Sequence, residues 1–355
     1  MSKGKLEGIR ISGMVCALPE NKVDTLDHSD RFDRHVLERM VEETGVVSTY
    51  RTTEKQTASD LCYEAAEELI RGLGWEKDSI GTLVFVSHAM DYQRPATSGV
   101  IQARLGLPKD CPCIDVGLGC SGFVYGLSVL GSLMTTMDME RGILCCGDLS
   151  SKAVNPETTS NLLFGDVGAA IAMEKRAGAP DLHFSLMTDG SKFKKIFTRG
   201  GGFRHPEDRE NIYADMLGMD VLAFSITDVP KTIKAFLADT GISIEELDLV
   251  TLHQANELII RQISKKIKAP EEKVPVVLHK YGNTSSSSIP LAVCDYIEQH
   301  PERRDLHFLA SGFGLGLSWG VADVWLPADA FVNIVSTGTY FDDDKEEAVC
   351  PAGTE

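Results

Sequence analysis

Three residues of this chain could do covalent chemistry together: Cys120, His253 and Asn283. Cys120 lies in Ile114-Asp-Val-Gly117-Leu-Gly119-Cys120-Ser-Gly122-Phe123. That pattern predicts a strand, a tight turn and a helix from Ser121 to about Met134, with Phe123, Leu127, Leu130 and Met134 on one face. A thiol at a helix N-terminus meets free backbone N–H groups and the positive end of the dipole, which favours its thiolate. His253 follows the apolar run Leu249–Leu252 and precedes a predicted helix, Glu257–Ile267. Asn283 lies in Gly282-Asn283-Thr-Ser-Ser-Ser-Ser-Ile-Pro290, and a glycine-rich loop follows Phe308 at Gly312-Phe313-Gly314-Leu315-Gly316. In one pocket, a thiolate could take up an acyl group while an imidazole and an amide donate hydrogen bonds to a thioester oxygen. Backbone N–H groups of a glycine loop could stabilise the tetrahedral oxyanion.

Each residue also has a plainer reading. Cys120 could be a small buried residue in a helix–strand contact. His253 could be a satisfied core histidine and Asn283 a turn residue. The serine run could cap a helix start. The glycines also spell Gly117-x-Gly119-x-x-Gly122, a dinucleotide fingerprint with Asp148 as the candidate ribose ligand. That fingerprint normally sits in the first βα unit, and here it follows more than a hundred residues.

The elements that must position these residues form a repeated plan. A strand is predicted over 7–18, a charged helix over 27–45 and an amphipathic helix over 61–73 stopped by Gly74. A strand over 80–86 ends in Ser87-His88, and a helix follows over 97–105. Past Cys120 come strands over 142–147 and 169–173. The second half repeats this order. His88 and His253 are 165 residues apart, Cys120 and Asn283 are 163 apart, and Gly147 and Gly312 are 165 apart. A nearly constant offset at three landmarks indicates a duplicated α/β unit. Equivalent turns of the two halves would face a shared site at the strand ends. The expected division is 1–178 with the cysteine, 179–327 with the histidine and asparagine, and an extension over 328–355. That extension carries Phe341-Asp-Asp-Asp-Lys-Glu-Glu347 and is expected to be mobile and solvated.

Composition narrows the function class. The chain has 355 residues, 43% hydrophobic and 25% charged, which reads as an ordinary soluble globular protein. A net charge of −17 argues against nucleic acid or a membrane surface as partner. No signal peptide or spanning segment is recognisable, and 9 cysteines without regular spacing suggest reduced thiols in a cytoplasm. Cys111-x-Cys113 and Cys145-Cys146 lack zinc spacing, so no metal site is expected.

Gly-x-Gly-Cys-Ser-Gly-Phe, His-Gln-Ala-Asn, Gly-Asn-Thr-Ser-x-x-Ser-x-Pro and Gly-x-Gly-x-x-Trp-Gly, in this order, resemble β-ketoacyl-acyl-carrier-protein synthase III over residues 7–327. The resemblance implies the thiolase fold, α/β with duplicated halves in an α-β-α-β-α layered arrangement, as a homodimer. It implies a Cys120–His253–Asn283 triad, an oxyanion hole from the backbone N–H groups of Cys120 and Leu315, and Phe313 and Gly314 lining the site beside the thiol. An acyl-CoA or acyl-carrier donor would load Cys120, and decarboxylative condensation with malonyl-acyl carrier protein would give a 3-oxoacyl product. Acyl-CoA is thus a substrate, and no tightly bound cofactor is implied. Gln254, Arg261, Lys265 and Lys266 would dock the acidic carrier protein.

The chain departs from the family's pattern at informative places. Arg39 and Glu43 stand where the family clasps the CoA adenine with Trp and Arg, and Leu258 replaces a docking arginine. Arg94 precedes Pro95 in the segment that lines the partner's acyl pocket. These departures point to a specialised relative that starts a lipid or polyketide pathway from a donor other than acetyl-CoA. The alternative is acyl transfer to a hydroxyl or amine without condensation. A degradative thiolase would need a second cysteine in the last glycine loop, and 295–349 contains none.

Overall fold

The computed structural model describes residues 2–302 and 304–345. In chain order the long strands are β1 (Ser2–Leu6), β2 (Ile9–Pro19), β3 (Thr82–Val86), β4 (Cys113–Val116), β5 (Arg141–Asp148), β6 (Val167–Lys175), β7 (Leu182–Thr188), β8 (Leu249–Leu252), β9 (Leu306–Gly314), β10 (Ser318–Leu326) and β11 (Phe331–Thr337). The helices that matter here are α1 (Arg34–Thr44), α2 (Ala58–Leu73), α3 (Thr97–Leu105), α4 (Gly122–Thr136), α5 (Gly218–Thr240), α6 (Glu257–Ile267) and α7 (Ser288–Gln299).

Two mixed sheets form, ordered β11-β2-β6-β5-β3-β4 and β1-β7-β10-β9-β8. The repeat is visible in strand direction. β3 runs parallel to β5, and β5-β6-β2 continue antiparallel. In the second sheet β8 runs parallel to β9, and β9-β10-β7 continue antiparallel. Helices α4 and α7 pack on both sheets, α2 and α3 cover the outer face of the first, and α5 and α6 cover the second. The result is five layers, with an apolar core inside each outer face and one between the sheets.

Local sequence explains why these elements stop and pack where they do. Helix α2 opens on a reciprocal capping box between Thr57 and Asp60 and closes at left-handed Gly74, with φ 62°. Helix α4 is rich in small residues because it lies against strands on two sides. A Cβ on Gly126 would fall 2.6 Å from Leu144 of the first sheet, and one on Gly131 would fall 2.1 Å from Leu6 of the second.

The expectation of a solvated tail over 328–355 is corrected for 328–345. β11 pairs in parallel with β2 over Phe331–Thr337 and extends the first sheet. The backbone hydrogen bonds of a sheet edge and the apolar contact of Phe331 with the α2 side outweigh the acidic composition that suggested a loose tail. Phe341-Asp-Asp-Asp-Lys lies among the described residues, whereas Glu346 and Glu347 fall outside them.

Candidate active site

Cys120 sits between the end of β4 and the first turn of α4, where the Gly122 amide bonds back to the Gly119 carbonyl at 2.6 Å. The second half closes over it from two directions. A Cβ on Gly314, the last residue of β9, would lie 3.1 Å from Cys120 Sγ, and one on Gly312 would lie 2.8 Å from the Cys120 carbonyl oxygen. From the serine run, Ser285 Oγ lies 3.6 Å from Cys120 Sγ.

His253 leaves the end of β8 with its amide donating to the Ser311 carbonyl at 2.9 Å. Its Nδ1 lies 2.8 Å from Ser288 Oγ, and its ring meets Phe313 edge-on with centroids 5.3 Å apart. The imidazole is 2% exposed. Burial pushes it down to about 3, opposed by a hydrogen bond to the Ser285 backbone, so it is neutral around pH 7. Asn283 bridges the halves through its backbone: its amide donates to Leu163 and its carbonyl accepts from Gly165. Its side-chain Oδ1 accepts from the Ser285 amide at 3.0 Å.

Ser285 therefore touches two of the predicted residues, the thiol through its hydroxyl and Asn283 through its amide, and Ser288 of the same run holds His253. Ser285 does so at φ 50°, a left-handed conformation that a serine adopts only when its surroundings hold it there. Sequence reasoning missed this role, because the serine run reads as a helix start. In the structure each serine has another task. Ser286 Oγ donates to Asp148 at 2.9 Å, Ser287 Oγ bonds the Cys146 and Val167 carbonyls at 2.8 and 2.9 Å, and Ser288 holds the imidazole. No side-chain cap bond forms at either helical start in the run.

The expected acidification of Cys120 is not found in this resting site. Burial pushes the thiol up to about 12; the Ser285 hydroxyl opposes the shift and the Asp148 charge adds to it. Desolvation outweighs a helix terminus that is worth about 1 kcal/mol. Asp148, the candidate ribose ligand, is buried and occupied by the His88 amide at 2.8 Å and by Ser286.

The remaining predicted residues divide. Gly314 lies beside the thiol, while Phe313 is buried against His253. Around Leu315, Ser318 Oγ donates to the Leu315 carbonyl at 2.6 Å and lies 2.7 Å from Ser121 Oγ, which ties this loop to the start of α4. Gln254 is corrected as a docking residue. It is fully buried, its Nε2 donates to the Leu252 and Pro275 carbonyls, and its Oε1 accepts from the Val277 amide. Arg261, Lys265 and Lys266 are exposed on α6. Arg261 pairs with Glu257, and Lys266 reaches the Ile226 carbonyl at 2.6 Å. Leu258 beside them is 48% exposed.

Known proteins resemble this chain in sequence and fold. Residues 114–190 match the family model described as 3-oxoacyl-[acyl-carrier-protein (ACP)] synthase III, and 237–324 match the model for its C-terminal part. A curated relative from Fusobacterium nucleatum, named β-ketoacyl-[acyl-carrier-protein] synthase III, is 31% identical over 89% of this chain and 98% of its own. The chain belongs to the β-ketoacyl-[acyl-carrier-protein] synthase III family. Another member, from Rhodopirellula baltica, is 32% identical over 90% of this chain and 99% of its own. The crystal structure of a 3-oxoacyl-(acyl-carrier protein) synthase from Burkholderia xenovorans superposes with TM-score 0.91 at 34% identity, covering 95% of this chain and 99% of that one. The layered architecture is thus the thiolase fold of this family. No helix among the described residues is long and apolar enough to cross a membrane.

Proposed function

We propose that this family member is a condensing acyltransferase that loads an acyl group on Cys120 and extends it with a malonyl unit held on acyl carrier protein. The observation that carries the reading is that one serine run meets all three residues, Ser285 at the Cys120 thiol and the Asn283 side chain and Ser288 at the His253 ring, one member from the first half and two from the second.

In the loading step, Cys120 Sγ attacks the thioester carbonyl of the donor. The tetrahedral oxyanion rests on the backbone N–H groups of Cys120 and Leu315. It collapses, the donor's C–S bond breaks, and the donor leaves as a thiol with the proton that Cys120 held. In the second step the C–CO2 bond of the malonyl group breaks and CO2 departs. The electron pair passes into an enolate whose oxygen accepts hydrogen bonds from His253 and Asn283. In the tautomer this step requires, Nδ1 accepts from the Ser288 hydroxyl 2.8 Å away, and the neutral ring carries its proton on Nε2 and serves as a donor without a buried charge. The enolate carbon attacks the acyl carbonyl, the bond to Cys120 breaks, and the freed thiolate takes a proton from solvent.

The donor is an acyl-CoA or acyl-carrier thioester other than acetyl-CoA. Arg39 and Glu43, at the places where the family clasps an adenine with Trp and Arg, are exposed on α1 and pair with each other at 3.3 Å. Arg261, Lys265 and Lys266 face the carrier. The enzyme acts as a cytoplasmic homodimer, without a tightly bound cofactor, at the start of a fatty-acid, specialised lipid or polyketide pathway.

Intact-protein mass after mixing with acyl-CoA and acyl-carrier donors tests the first step, beside Cys120→Ala. One acyl group is expected on the parent chain and none on the variant. Adding malonyl-acyl carrier protein should release CO2 and discharge the enzyme. Discharge to an alcohol or amine without CO2 would replace condensation by simple transfer, and no acylation by any donor would sink both readings.

A further inference from the structure

The segment from Ser87 to Thr97 is anchored at both ends. At its start, the His88 amide and Ser87 Oγ donate to Asp148 Oδ1 at 2.8 and 3.4 Å. The His88 ring packs so closely on Gly119, the neighbour of Cys120, that a Cβ there would lie 2.8 Å from His88 Cδ2. Farther along, the Tyr92 hydroxyl donates to Asp343 Oδ2 at 2.6 Å. Asp91 accepts from Ser59 Oγ at 2.5 Å, and its amide donates to Thr97 Oγ1 at 3.1 Å.

The C-terminal extension locks the same spot from outside. Asp60, next to Ser59 on α2, accepts from the Phe341 amide at 2.9 Å and pairs with Arg104 at 2.9 Å, both side chains being buried. The Arg104 guanidinium lies between the rings of Tyr63 and Phe341, at 4.4 and 4.8 Å. Gln56 Nε2 holds the Thr337 and Thr339 carbonyls at 3.1 and 3.0 Å. Residues 337–343 thus form a strap from β11 across α2 and α3 to Tyr92.

We propose that this strap is a positioning element for Cys120. By holding Tyr92, and by bracing α2 at Asp60 beside the Ser59 that holds Asp91, it sets how closely Ser87 and His88 press on Asp148 and Gly119, and so the width of the pocket beside the thiol. The inference rests on Cys120 being the acylated nucleophile. The Tyr92–Asp343 bond is exposed at the surface and is a small part of the chain's stability. Its loss frees the segment while leaving the fold intact.

The test compares the full chain with Asp343→Ala, Phe341→Ala, Phe341→Tyr and, as a control on the same strap, Asp344→Ala. Hydrogen exchange over 87–97, alkylation of Cys120 by iodoacetamide and acyl loading from a series of acyl-CoA chain lengths are measured. In Asp343→Ala, which removes the acceptor of the Tyr92 hydroxyl, and in Phe341→Ala, exchange should rise, alkylation should change by about threefold or more, and the ranking of chain lengths should shift. Phe341→Tyr should restore the parent values, and Asp344→Ala should match the parent throughout. Parent-like alkylation and chain-length ranking in Asp343→Ala overturns the proposal, even with faster exchange. A parent chain that no donor acylates, with alkylation still altered by Asp343→Ala, would remove the acyl-transfer reading and leave the strap's role standing.

Discussion

The Ser285 hydroxyl lies 3.6 Å from Cys120 Sγ, across the seam between the two halves. It opposes the burial that pushes the thiol up to about 12. At pH 8 a thiol with that pKa is ionised to about one part in ten thousand. Alkylation of Cys120 should therefore rise about tenfold per pH unit between about pH 7 and 9, without a plateau. Ser285→Ala should lower the rate about fivefold, the worth of one hydrogen bond of about 1 kcal/mol. Ser285→Gly should lose the same factor while matching or exceeding the parent in thermal stability, because glycine accepts φ 50° without strain. A plateau near pH 7, or equal rates in all three chains, would contradict this account.

At Gly314 the second half comes up against Cys120, the proposed nucleophile. A methyl group there would sit 2.7 Å from Cys120 Cβ and 3.1 Å from Sγ, both at a side chain held by two elements. Gly314→Ala should cost about 1–3 kcal/mol of stability and lower acyl loading by about a hundredfold. Gly218 begins α5 with nothing near its Cβ position. Gly218→Ala should leave loading unchanged, and comparable losses in both variants would refute a local effect at the thiol.

The duplicated plan, the central helix and the three positions proposed to react could be picked out in the sequence because each rests on a periodic or local signal. Gly119-Cys120-Ser121-Gly122 at a strand-to-helix switch and the 165-residue offset of His88 and His253 are of that kind. What stayed hidden depends on contacts between distant segments. Nothing local to Ser285 says that its hydroxyl meets residue 120, and nothing local to Gln254 says that its amide is consumed inside the fold. The strap was misread for the same reason: Phe341 is followed by three aspartates, yet it stacks on Arg104, more than two hundred residues away. The thiol's environment reversed the expected sign because helix position can be read from spacing, whereas desolvation follows from tertiary packing.

The buried imidazole of His253 links the site to acid stability. Burial pushes it down from 6.5 to about 3 in the folded chain. Above pH 6.5 the ring is neutral in both the folded and unfolded states and adds no pH dependence. Below that value the unfolded chain takes up a proton that the folded ring refuses, so stability falls as pH drops, until about pH 3. The slope from this one group is about 1.4 kcal/mol per pH unit, or roughly 2 kcal/mol between about pH 6.5 and 5. His253→Gln removes the titrating group and keeps an amide donor, so its urea-unfolding free energy should fall less than the parent's over that interval. The difference between the two slopes isolates His253 from the carboxylates, which are common to both chains. Equal slopes would mean that the ring takes up its proton in the folded state, and the neutral donor assigned to the condensation step would have to be a cation instead.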